Sequence, residues 1–269
     1  MTDTDAPAPA SVHRSRWRRF SPSMGWKAFW SELLIVVLGV VIALAASEAV
    51  EDWSWKAKVR DGEARLQGDL GRAFTWGAEQ YVIQPCVEAQ LDLLAKRVVE
   101  SGATLTPAPV YSDPTIQIPA KPRFVVRIPV RPWRFPVWEA LIANGTATHF
   151  SRQRQGLYSS FNESMAAARD YKEGFNLLSG RLMALSYPIA MDPAARQAYL
   201  VDIETLRRLN FSILITARQH MSLMLRDGMA PTPESVDAFL RDSGTVKFCK
   251  EQNLPLADWR AIAPAPPAG

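Results

Sequence analysis

Histidine and cysteine are the side chains of this chain best suited to chemistry near neutral pH, and there are few of either. The histidines are His13, His149 and His220, and the cysteines are Cys86 and Cys249. Histidine is the usual proton carrier and a common metal ligand. His13 precedes a long apolar run and cannot join the other two. His220 falls on the apolar seam of a predicted helix, near the level of Leu157 if that helix pairs with the one before it, and there it reads as a core or boundary residue. No His-x-x-x-His, Cys-x-x-Cys or Glu-x-x-His pair occurs, so no metal site is expected. No Gly-x-Ser-x-Gly, Ser-x-x-Lys or glycine-rich phosphate loop occurs either, so the common acyl-transfer and nucleotide signatures are missing. Carboxylate pairs stay open, because they depend on proximity in the fold. The expectation is no catalytic residue, no metal and no cofactor. Cys86 and Cys249 are either a disulfide spanning most of the domain or two separate buried thiols, and the bridge is the expectation.

These residues are placed by one dominant element. Leu33 to Ala46 is an uninterrupted apolar run, LLIVVLGVVIALAA. Crossing a bilayer core takes roughly 20 helical residues. The run reaches that length as Ala28–Val50 if Glu32 and Glu48 sit at the two interfaces. Trp26, Trp30, Trp53 and Trp55 flank it, as suits a headgroup region. Arg14, Arg16, Arg18, Arg19 and Lys27 precede it, whereas acids and bases are mixed after it, so the N-terminus is expected in the cytoplasm and residues beyond about 50 outside. Ala43-Leu44-Ala45 offers the alternative of a cleaved signal sequence, but a permanent anchor fits the long preceding region better. Arg14–Arg19 first serves as the topogenic charge and is also able to hold anionic inner-leaflet lipid. Gly39, Ala43 and Ser47 put small residues on one face, the spacing that lets a second span approach and form a homodimer.

Residues 1–27 read as a disordered basic tail, 28–50 as the span, 51–260 as one medium helical domain and 261–269 as a second tail. A net charge of +4, much of it in the N-terminal flank, gives no argument for nucleic acid. The span is predicted to continue outward to about Tyr81, with Pro85 opening a new helix that ends near Gly102. Prolines crowd 102–136, a loop or short β-hairpin insertion whose candidate strands are Thr115–Ile118 and Phe124–Ile128. Its arginines 123, 127, 131 and 134 read as a solvated basic lid, or as a contact for an anionic partner. Helices follow over Val137–Asn144, His149–Ser186 and Pro193–Asp227, and a short one starts at Pro233. The two long ones should form an antiparallel hairpin. Gly145 is expected as a left-handed cap and Trp138 as a buried structural anchor. Asn210 is expected as a polar core residue that fixes register.

Two places, Glu32 to Leu44 followed by Trp53, and Trp138-Glu139-Ala140-Leu141 leading to Asn144-Gly145 with Tyr158 downstream, resemble a broad group of uncharacterised bacterial single-pass membrane proteins. The resemblance implies an anchored helical extracytoplasmic domain and no particular activity. The expected fold is therefore all-α. The expected function is a membrane-anchored periplasmic interaction, scaffold or sensor-like module for an envelope protein, in the bacterial inner membrane. The alternatives are an envelope hydrolase with an acidic cleft, or a lipid or small-molecule sensor.

Overall fold

The structure, a computed structural model, describes residues 25–112 and 123–262. His13, Arg14–Arg19 and the expected strand Thr115–Ile118 lie outside the described residues. The chain divides into two units, Met1–Ser54 and Trp55–Gly269.

Helix α1 spans Trp26–Glu100, 75 residues. Its part within the first unit is long and apolar enough to cross a membrane, and none of that window is buried. Every residue from Leu33 to Leu44 is exposed. A chain in water has no physical reason to present such a surface. Gly39, Ala43 and Ser47 lie within it, and nothing comes within 4 Å of a Cβ added at Gly39.

Among its described residues the second unit is all-α apart from one two-stranded ribbon and an isolated bridge between Thr104 and Ala190. After α1 come α2 (Pro136–Ala143), α3 (Arg152–Leu182), α4 (Pro193–Arg226), α5 (Pro233–Asp242) and α6 (Gly244–Glu251). Local rules explain the boundaries. Ser151, Asp192, Thr232 and Ser243 each accept a backbone N–H at a helix start, and proline occupies the first turn of α2, α4 and α5. Gly145 follows α2 with φ +77, a conformation that costs an L side chain about 1 kcal/mol.

Pro85 does not open a new helix. It sits inside α1, which continues to Glu100. An internal proline costs about 3 kcal/mol, and the surroundings offset it. Ile83, Cys86 and Val87 are completely buried. The neighbouring Val82 carbonyl accepts the Ala257 N–H at 2.9 Å.

Helices α3 and α4 pair antiparallel, as Arg181 with Asp202 (3.0 Å), Leu209 against Gly174, and Phe161 with His220 together show. His220 therefore meets Phe161, one turn along from the Leu157 level that the sequence suggests. The second-unit part of α1 lies antiparallel to α4, with Asn210 against Gln80 and Gln84, and Arg207 against Glu88 and Asp92. Close approach is possible because residue 77 is glycine. A Cβ there would meet the Met221 sulfur at 3.0 Å.

The described residues of the proline-rich segment pack many of their side chains into the core and do not form a solvated lid. Its strands, β1 (Tyr111–Ser112) and β2 (Arg123–Phe124), pair antiparallel, so Phe124 pairs with Tyr111. Leu105, Val125, Val126, Trp133 and Phe135 are all buried. The reason is that proline-interrupted extended chain leaves backbone groups unsatisfied, and side chains of α1 satisfy them. Gln90 accepts the Arg127 N–H at 2.7 Å and donates to the Arg127 carbonyl at 3.2 Å, standing in for a strand neighbour.

Candidate functional site

The interior of the second unit holds more charge than its sequence suggests. Glu79 on α1 is fully buried. It accepts two bonds from the Arg131 guanidinium, at 2.6 and 2.8 Å, and one from the Ser243 hydroxyl. The same hydroxyl caps α6 by accepting the Val246 N–H. One carboxylate thus joins α1, the proline-rich segment and α6. Arg127 is also turned inward, 2% exposed, donating to the Ser112 carbonyl. Of the two middle arginines of the expected basic surface, Arg127 is therefore internal and Arg131 half-buried, while Arg123 and Arg134 remain exposed. The inward turn of Arg127 and Arg131 follows from the partners that β1 and α1 supply, the Ser112 carbonyl and the Glu79 carboxylate.

Asp69, also buried, accepts the Val137 N–H at 2.9 Å and pairs with Arg72. It caps α2 from 68 residues away, because α2 has no capping side chain of its own. At the other end of α1, Arg196 donates to the carbonyls of Val98, Val99 and Ser101 at 2.6–2.9 Å, satisfying a helix C-terminus.

Lys172 occupies the α3 seam, in step with Phe161, Met165, Ala168, Phe175 and Leu182. Its amine lacks a hydrogen-bond partner among the described residues and lies 5.2 Å from the Phe175 ring centre. Burial lowers Lys172 to about 7, against the attraction of Glu79. His220 is likewise buried beside Phe161, at 4.8 Å between ring centres, and burial lowers it to about 4. It is a neutral ring at neutral pH. Asn210 accepts from Gln80 at 2.8 Å and donates to Gln84 at 2.6 Å, both on α1.

Cys86 and Cys249 form a disulfide, S–S 2.09 Å, which ties α6 to α1. Trp138 is 1% exposed and contacts Tyr158 and Phe150 at 5.2 and 5.7 Å between centroids. Glu139 beside it is exposed. Trp138, Gly145, Asn210 and His220 thus fall in or around the packed core and not at a common opening. His149 stacks on Trp55 at 3.9 Å, far in sequence from the last turns of α1. Among the described residues no group of three His, Cys, Asp or Glu is arranged to hold a metal.

A cleft of about 520 Å³ at the end of α1 has both apolar and hydrogen-bonding walls. Leu93, Leu94 and Arg97 of α1 form one wall, Tyr111 and Val125 another, and Leu254 a third. Arg97 is positioned by the Thr106 and Pro107 carbonyls, at 3.4 and 3.1 Å. The Tyr111 ring meets Phe248 edge-on at 4.7 Å. Burial raises the Tyr111 hydroxyl above its ordinary 10.0, and the nearby Arg97 charge partly opposes this. Such an arrangement can bind and orient a small molecule. None of the candidate site residues expected from the sequence lines it, because it forms only where the C-terminal segment meets the end of α1 and the proline-rich segment. The arginine-rich character of the proline-rich segment was the nearest signal, and it pointed to the wrong arginines. Compared with family models, curated proteins and solved structures, the chain matches none.

Proposed function

We propose that this chain is a single-pass protein of the bacterial inner membrane whose second unit is a non-catalytic periplasmic interaction, scaffold or sensor-like module for an envelope partner. The observation that carries the reading is the exposed apolar face of α1 from Leu33 to Leu44. Only lipid or protein can cover such a surface, and its length suits a bilayer. The basic N-terminal flank supports a cytoplasmic N-terminus. The disulfide supports an oxidising compartment for the second unit.

The cleft favours a more specific form of the same reading, a domain that senses a small molecule. The anchored reading is tested by washing membranes with alkaline carbonate and then treating spheroplasts with external protease. The chain is expected to stay in the pellet and to lose its C-terminal epitope. Release into the supernatant, or protection of that epitope, would overturn the proposal.

A further inference from the structure

We propose that the cleft at the end of α1 binds a small amphipathic anion, with its apolar body against Leu93, Val125 and Leu254 and its charged group at Arg97 and Tyr111. This rests on the small-molecule form of the function proposed above and names the ligand class.

Size comes first. A cleft of about 520 Å³ lies within the usual range of small-ligand sites. Its apolar lining explains why an apolar body is needed. Leu93 is 60% exposed although it sits beside the buried Leu94, and burying such a side chain is favourable by about 1.5–3 kcal/mol.

The sign of the charge follows from the lining. Lys96 and Glu100 pair at 3.9 Å and offset each other. Arg97 bonds only to carbonyls among its described partners, so its positive charge remains the net charge of the wall. A guanidinium held in place by two carbonyls presents its remaining N–H groups as a fixed fork, which matches a carboxylate. Tyr111 lines the same cleft as Arg97, and because burial raises its hydroxyl above the ordinary value it stays protonated, hence a donor. The Gln90 amide, which also lines the cleft, is engaged by the Arg127 backbone and holds the wall in place. Two donors lining one cleft beside an apolar surface, with one uncompensated positive charge, select an anion with an apolar tail.

The test is calorimetric titration of the full chain in lipid nanodiscs with phenylbutyrate, and with phenylbutanamide as its uncharged match, corrected by empty discs. Leu93→Asp places an acid one turn from Arg97 at an exposed position, so folding is undisturbed while the charge is cancelled. Tyr111→Phe removes one donor and keeps the ring. Phenylbutyrate should saturate a single site and bind at least about tenfold more tightly than the amide. Leu93→Asp should abolish saturation, and Tyr111→Phe should weaken binding several-fold. The proposal is overturned if phenylbutyrate gives no saturable heat, if the amide binds equally well, or if both variants behave as the parent. Such a failure leaves carbonate resistance untouched, so it is distinguishable from failure of the anchored reading.

Discussion

Replacing Lys172 by methionine should stabilise the protein at neutral pH. The lysine amine sits in the α3 seam with no hydrogen-bond partner among the described residues, a ring at 5.2 Å, and Glu79 as an attracting charge. Desolvation outweighs that attraction and lowers Lys172 from its ordinary 10.5 to about 7. An unfolded lysine keeps its proton up to the ordinary value. Between about pH 7 and 10.5 the unfolded chain therefore binds a proton that the folded chain lacks, and stability attributable to this group rises with pH by about 1.4 kcal/mol per pH unit. Below about 7 both states are protonated, and the cost is constant and full. The interval sets a ceiling near 5 kcal/mol, and water penetration around a strained buried ammonium reduces what is realised to about 2 kcal/mol or more. Methionine fills similar volume without charge. The assay is urea unfolding of the full chain in nanodiscs, followed by near-ultraviolet circular dichroism from about pH 6 to about pH 9. The variant midpoint should lie above the parent's at low pH, and the gap should narrow as pH rises. An equal or lower midpoint near neutrality, or a gap independent of pH, would refute the reasoning.

Three further outcomes follow from the same packing. Cys86→Ser should lower stability by about 4–5 kcal/mol, since the bridge closes a loop of 163 residues; reductant should shift the parent's gel mobility and urea midpoint and leave the variant's unchanged. Asn210→Leu strips Gln80 and Gln84 of their partner and should cost about 1–3 kcal/mol in urea unfolding, with part regained when Gln80→Leu is added, because the orphaned donor is then gone. His220 is held at about 4 against an ordinary 6.5, so the parent should lose stability as pH falls from about 6.5 to about 4, the unfolded state taking the proton first; His220→Phe should flatten that part of the acid limb in a pH series of melting curves.

Local chemistry made the helical skeleton legible. Asp192-Pro193, Thr232-Pro233 and Gly145 mark boundaries that the structure places within a residue or two, because caps and left-handed turns depend on near neighbours. The seam of α4 was readable for the same reason, and Asn210 and His220 lie on it. Pro85 misled, since its local penalty is outweighed by burial of Ile83, Cys86 and Val87, a tertiary effect. The short helix α6 went unread because it is two turns long and its apolar residues pack against segments distant in sequence. Lys172 was discoverable, since it falls in step with Phe161, Ala168 and Phe175, and a lysine at such a position is worth flagging. Glu79 was not, because Gly77 to Gln80 are buried all round and leave no apolar stripe to interrupt. The cleft was invisible for a different reason. Arg97, Tyr111 and Leu254 meet only after the proline-rich segment and the C-terminal segment fold back onto α1.

The proposed role of the protein requires a lipid-embedded segment near the N-terminus with everything after it outside the cytoplasm. The most direct measurement is a pair of reporters fused after Gly269, alkaline phosphatase and a fluorescent protein that matures only in the cytoplasm. Phosphatase activity with a dark fluorescent fusion is the predicted result. A bright fluorescent fusion with an inactive phosphatase would contradict the account.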